Sequence, residues 1–307
     1  MMKPAPCRRR ALELSALTLV SRLFGVLPPG CGQGTVALAL QRRYERDGPL
    51  RTQRMATGAL LELDLAEPQQ LTAYLTRRYQ HDLVALIIEL LPRRGLFVDV
   101  GANIGLVSFS VGASRPDVSV LAFEPEPENA ARWLRNAALN DARRSRLETI
   151  ALGAAVGSAE IVRGSESGQS RIATKGEHGI RVPVDTLDAY SDRLGLQSID
   201  VLKIDVEGYE PHVFQGASRL LREGRIETIV CEVNEPLLRR RGFTRLDLTS
   251  LLAQYGYVPH LVPPTGARKL RTQPGLEDAG DVVFTQRADH RAAVDEAERP
   301  RRHESSI

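Results

Sequence analysis

The stretch "FVDVGANIG" (97–105) ends an apolar run on Asp99 and then places Gly101, Asn103 and Gly105 in a tight turn. A strand stops there and a helix starts at once. Glycine at such a turn tolerates positive φ and leaves backbone bare enough for a ligand to lie against it. The dinucleotide fingerprint G-x-G-x-x-G needs a second glycine where this chain has Asn103, so a pyrophosphate is disfavoured. Asp99 points the same way, because an acid beside the turn suits a cationic ligand better than a diphosphate. Glu124 closes the next apolar run, "VSVLAFEP", 23 residues beyond Gly101. An acid at that strand end can accept both hydrogen bonds of a ribose diol, in a nicotinamide cofactor or in S-adenosylmethionine. Simpler roles stay open for both: Asp99 as a helix cap, Glu124 as a solvated acid. A second chemically loaded stretch, "KIDVEGYE" (203–210), carries Lys203, Asp205 and Glu207 at the end of another apolar run.

The elements around these residues alternate. Apolar residues from 71 to 91 suit one or two helices, and strands follow at 96–100, 118–125, 147–156, 199–206 and 226–234, with helices between them. "VPHLV" and "DVVFTQ" form a last pair able to run antiparallel. Strands alternating with helices predict a mostly parallel sheet covered on both faces. The fold class is therefore a doubly wound, Rossmann-like α/β domain over about 70–287 with an antiparallel edge. A partly helical extension is expected at 1–69 and a disordered polar tail at 288–307. The polar stretch 163–180 is either a connector or a substrate-side lid.

The 307 residues carry a net charge of +3 from 41 basic and 38 acidic side chains. That balance argues against nucleic acid, which calls for a concentrated basic face. Cys7, Cys31 and Cys231 form no metal-ligand spacing, and so few cysteines fit a reducing, cytoplasmic compartment. Only eight residues separate Glu13 from Arg22, against about 20 for a spanning helix, so no integral membrane segment is expected. Leu12, Ala16, Leu19, Leu23 and Leu27 instead suggest an amphipathic helix.

Taken in order, "FVDVGANIG", "FEPEPENAARWLRNAALN", "VDTLD", "VLKIDVEGYEPHVFQGA" and "IVCEVN" resemble the FkbM family of S-adenosylmethionine-dependent methyltransferases. The resemblance implies a class I methyltransferase fold and O-methylation of a hydroxyl on a sugar, polyketide or similar small metabolite. It implies cofactor contacts from Asp99, Gly101, Asn103 and Gly105, a ribose contact from Glu124, and adenine-side contacts near Ala151 and Leu152. "KIDVEGYE" becomes the catalytic candidate, with Asp205, Glu207 and Lys203 as its chemical groups.

By strand alternation Lys203 and Asp205 face one way. Asp205 would bind or deprotonate the acceptor hydroxyl, although an unperturbed carboxylate is a poor base for an alcohol. Asp205 and Glu207 are also oxygen ligands of the kind a divalent metal takes, but two carboxylates alone do not support one. Lys203, inside a central strand, needs a partner that Glu232 on the neighbouring strand could supply. His178 and His212 are alternative bases. Gly208 serves the strand-to-helix turn. Two rival functions stand beside this one: a cofactor-binding regulatory or interaction module without catalysis, and a nicotinamide-dependent oxidoreductase.

Overall fold

The computed structural model describes residues 17, 19–21, 40–44, 48–164, 167–174, 176–262 and 280–286. Most of the expected N-terminal amphipathic helix, and the whole tail from 288, lie outside these residues.

Before the sheet the described residues 17, 19–21 and 40–44 are helical, and a hairpin follows: β1 (Leu50–Arg54) pairs antiparallel with β2 (Leu60–Asp64). Leu61, Leu63 and Leu65 are buried while the residues between them are partly exposed, the period-two pattern of a half-buried strand. Two helices follow, α1 (Pro68–Thr76) and α2 (His81–Leu90), broken by Arg77 and Gln80 at φ 57° and 39°.

From there the sheet is wound in two halves. β3 (Leu96–Val100), α3 (Leu106–Ser114), β4 (Ser119–Phe123), α4 (Pro127–Leu139) and β5 (Ser145–Glu148) make the first. The chain then leaves the sheet. β6 (Ala151–Leu152), β7 (Gly157–Val162), β8 (Arg171–Ile172) and β9 (Ile180–Asp185) form a separate four-stranded sheet. The single strand expected over 147–156 is thus divided, because Glu148 pairs toward β4 whereas Ala151 and Leu152 pair with β9.

The second half runs α5 (Leu187–Leu194), β10 (Ile199–Ile204), α6 (Glu210–Gln215), α7 (Ser218–Arg222), β11 (Ile226–Glu232), α8 (Glu235–Arg239), α9 (Arg245–Ala253), β12 (Tyr257–Leu261) and β13 (Asp281–Gln286). The main sheet has seven strands in the order β12-β13-β11-β10-β3-β4-β5. Every pairing from β11 across to β5 is parallel, and β13 runs against both of its neighbours. Strand order reverses between β3 and β10, and such a switch point opens a crevice beyond the carboxyl ends of the strands. β3 can sit there because Phe97, Val98 and Val100 are buried on both of its faces.

The hairpin belongs to this body. Asn136 and Asn140, on and just after α4, accept hydrogen bonds from the backbone of Glu62 and Leu60 at 2.7 and 2.9 Å. Leu61, Leu63 and Leu71 share one core cluster with Ile104 and Trp133, so packing is continuous across residue 70. Among the described residues no helix is long and apolar enough to cross a membrane. Leu63→Ala is expected to lower the unfolding free energy of the whole body by about 2–5 kcal/mol. Denaturant unfolding should keep a single transition; an unchanged midpoint would mean that the hairpin is an appendage.

Candidate functional site

A cavity of about 290 Å³ opens at the ends of β3, β4, β10 and β11. Its walls include Asp99, Gly101, Asn103, Glu124, Ala151, Leu152, Lys203, Asp205 and Glu207. Gly105 is the one residue of the expected set that does not line it. Its φ of 88° opens the following helix, and a Cβ there would stand 2.3 Å from the Phe109 ring. Gly101, at φ 80°, would place a Cβ 1.9 Å from the Asp205 carbonyl oxygen. Both glycines are therefore required by the chain's own packing: what approaches the missing side chains is protein, not ligand.

Glu124 organises the turn. One carboxylate oxygen accepts from the Asn103 N–H at 2.8 Å and the other from the Glu126 N–H at 2.9 Å. The side chain is buried, which excludes the solvated strand-end acid. Burial pushes its pKa up to about 7, against the pull of these two backbone donors. Asp99 does not cap the next helix either. It accepts from the Ser108 hydroxyl at 2.6 Å, inside that helix, while its Oδ1 has no hydrogen-bond partner.

Lys203 and Asp99 are side by side in the β3–β10 register. The ammonium lies 3.2 Å from Asp205 Oδ2 and 3.6 Å from Asp99 Oδ1, with all three groups at the cavity wall. The expected pairing of Lys203 with Glu232 is replaced by these two contacts, because the residue that β11 sets beside Lys203 is Val230. Burial alone would lower the lysine pKa, but Asp205 and Asp99 outweigh it and keep the ammonium charged. Burial likewise works against the Asp205 carboxylate, which Lys203 and a hydrogen bond with Glu232 hold below its ordinary value.

The structure adds Glu232 to the expected acids: one oxygen each from Asp205, Glu207 and Glu232 falls within a 4.8 Å spread. The negative charge of Asp205, then burial, raises the Glu232 pKa strongly. Glu207 rises to about 7 through burial and then Asp205, and Asp281 to about 6 mainly through burial. Asp205 already has its cation in Lys203. Among the described residues, His178 is exposed and His212 stacks on Tyr209 at 4.2 Å; neither lines the cavity.

One part of the wall escaped sequence reading: Gln69, Tyr79 and Gln80 come from α1 and the break after it. A second part, Gly168, Ser170, Arg171 and Ile172, comes from the 163–180 stretch, for which the sequence left a connector and a substrate-side lid both open. That stretch is tied down: Arg163 reaches Glu126 and Glu128 at 2.6 Å each, Arg171 pairs with Glu177, and Arg241 donates to the Ile172 carbonyl. No motif marks these positions. The nearest signal was the interrupted helical period near residue 78 and the arginines spaced along the loop. Three acceptors from residues of the cavity wall, Gln80 Oε1, Asp99 Oδ1 and Asn103 Oδ1, are buried without a hydrogen-bond partner.

A switch-point cavity on a sheet of this order, with an acid at the carboxyl end of each central strand, defines a class I methyltransferase fold. Residues 99–259 match the methyltransferase FkbM domain, and the chain belongs to that family of methyltransferases. Methyltransferase sdnD of Sordaria araneosa is 31% identical over 54% of this chain and 78% of its own length. The AMB antimetabolite synthetase AmbE of Pseudomonas aeruginosa is 29% identical over 54% of this chain, which spans 10% of that protein. Among solved structures, the precorrin-6y C5,15-methyltransferase of Geobacter metallireducens gives a TM-score of 0.39 at 15% identity, covering 68% of this chain and 89% of its own. A likeness that distant carries no functional argument.

Lys203→Met leaves buried carboxylates without their cation and should cost about 3–5 kcal/mol of stability near neutral pH. Freed of Lys203, Asp205 has its folded-state pKa raised by burial, so its contribution is lost as pH rises through that value. The deficit measured by denaturant should therefore be smaller at about pH 5 than at about pH 8. An equal deficit at both would remove the ammonium's electrostatic role.

Proposed function

We propose that the protein is an S-adenosylmethionine-dependent O-methyltransferase acting on a hydroxyl of a small metabolite such as a sugar or polyketide. The observation that carries this reading is one cavity whose wall joins buried acceptors without a hydrogen bond, Gln80 Oε1, Asn103 Oδ1 and Asp99 Oδ1, the last 3.6 Å from Lys203, to an ionised aspartate after β10. Unpaired buried acceptors are costly and call for donors. The α-ammonium of the cofactor has them, and a dinucleotide pyrophosphate does not. Gln80, Asp99 and Asn103 would hold that end.

Glu124 retains lone pairs beyond its two backbone contacts and can take a ribose diol, with Ala151 and Leu152 on the adenine side. When bound, the cofactor supplies a sulfonium methyl group open to in-line displacement.

The chain's task is then alignment and proton handling. Holding the acceptor in line can be worth effective molarities on the order of 10⁵–10⁸ M. Asp205 accepts a hydrogen bond from the acceptor hydroxyl and orients its lone pair. Lys203 keeps Asp205 ionised for that purpose, and the tethered 167–174 strap helps to shield the cavity from water. The relative named as an antimetabolite synthetase supports a small-metabolite acceptor.

Calorimetry with S-adenosylhomocysteine should give micromolar binding, and NAD none. Glu124→Ala should weaken the adenosyl ligand by about 10–100-fold, the loss of one or two charge-assisted hydrogen bonds. Asp205→Ala should keep that affinity and lose methyl transfer; full transfer would remove Asp205 from the catalytic set.

A pH dependence follows as well. The free Glu124 carboxyl sits at about 7 because of burial, and a diol donating to the ionised form lowers it. Affinity should then rise as pH climbs toward 7 and level off above it, by at most about tenfold per unit. A flat profile would exclude Glu124 as the ribose ligand.

A further inference from the structure

The proposed function uses Asp205 and leaves Glu232 without a role, although both line the same cavity. One carboxyl oxygen from each lies within a 4.8 Å spread. Two carboxylates that close inside a buried cavity repel each other, and a proton held between them relieves the repulsion. Which of them carries it is set by the surroundings. Lys203, from β10, is 3.2 Å from Asp205 Oδ2 and stabilises a charge there. Glu232 ends β11 opposite Asp281 on β13, so its nearest strand partner is a second acid. Glu207 comes within the same 4.8 Å spread, and Asp99, Tyr79, Tyr209 and Arg171 line the same cavity. The cation touches Asp205, whereas Glu232 has Asp281 as its strand neighbour.

We infer that Asp205 and Glu232 act as one proton-sharing carboxyl pair, in which Asp205 faces the acceptor and Glu232, a positioning residue, stores the proton. This rests on the methyltransferase reading of the cavity for its purpose, but not for its existence. With the proton in place, Asp205 is ionised yet weakly basic: it can orient a hydroxyl but not take its proton. Loss of the stored proton to solvent leaves two carboxylates in contact, a far stronger base. In the transfer step the acceptor O–CH₃ bond forms and the S–CH₃ bond of the sulfonium donor breaks, its electron pair staying on sulfur. The hydroxyl proton passes to Asp205 and so restores the singly protonated pair. The state that follows the reaction is the resting state, and each turnover needs one proton to leave.

The pair can be read in the free protein, without acceptor or donor. At about pH 9, Glu124, Glu207 and Glu210, raised by burial to about 7, have ionised. A carboxylic-acid carbonyl band remaining in the infrared spectrum there is expected from Glu232 alone. Glu232→Gln should remove it. Asp205→Asn should remove it too, although Glu232 is still present, because its proton is no longer held against a neighbouring charge. A band that survives in Asp205→Asn, or that is absent from the wild-type protein, overturns the pair.

Bleaching of the wild-type band by millimolar Mg²⁺ would also overturn it, by making the acids a cation site. Both variants should bind S-adenosylhomocysteine like the wild type, which separates failure of the pair from failure of the methyltransferase reading. Should either variant not fold, carboxyl ¹³C resonances of the wild-type protein give the same answer. One glutamate should then titrate far above the others; its absence would overturn the pair as well.

Discussion

A single buried ammonium organises the centre of this molecule. Lys203 lies on the strand beside β3, and transferring its charge out of water costs several kcal/mol unless partners compensate. Two do, Asp99 from the neighbouring strand and Asp205 just beyond its own. The arrangement works only if β3 and β10 are adjacent, parallel and in the register that sets Lys203 beside Asp99. An adjacent register would turn the lysine or the aspartate into an apolar layer. The charge contact and the sheet topology therefore constrain each other, and both converge on the crevice where the strand order reverses.

From that ammonium the chemistry of the cavity unfolds outward. Asp205 stays ionised because Lys203 is near, and its charge in turn opposes ionisation of Glu232 and Glu207. Three carboxyl groups of ordinary type acquire three different protonation behaviours from position alone. The other end of the cavity is organised by backbone. Glu124 fastens the glycine turn to the end of β4, and Gly101 brings that turn against the Asp205 carbonyl. A site already held by its own hydrogen bonds needs little reordering on binding, which is where preorganised sites save free energy.

Much of this was legible in residue order. The run "LFVDV", the glycine turn and the alternation of strands with helices were enough for the doubly wound sheet and its antiparallel edge. The family resemblance rests on the same stretches, and of the cofactor and catalytic residues assigned from it only Gly105 stands apart from the cavity. The β1–β2 hairpin was also encoded, in the alternation of Leu61, Leu63 and Leu65, but short alternations are weak signals beside long helical ones. The four-stranded second sheet was not legible, since its strands pair across loops whose return path no local pattern specifies.

Local order, then, dictated the central strands of the main sheet and which polar residues stand at their ends, because hydrophobic period and glycine placement act over a few residues. Partnership was decided only by folding. Lys203 pairs with Asp99 and not Glu232 because lateral register between strands about a hundred residues apart sets which side chains are neighbours. The same is true of Gln80 at the cavity wall and of Arg241, which donates to the Ile172 carbonyl. Burial does the rest: the shifted acids owe their proton affinities to lost water and to neighbours brought from distant strands, and neither exists until the sheet has closed.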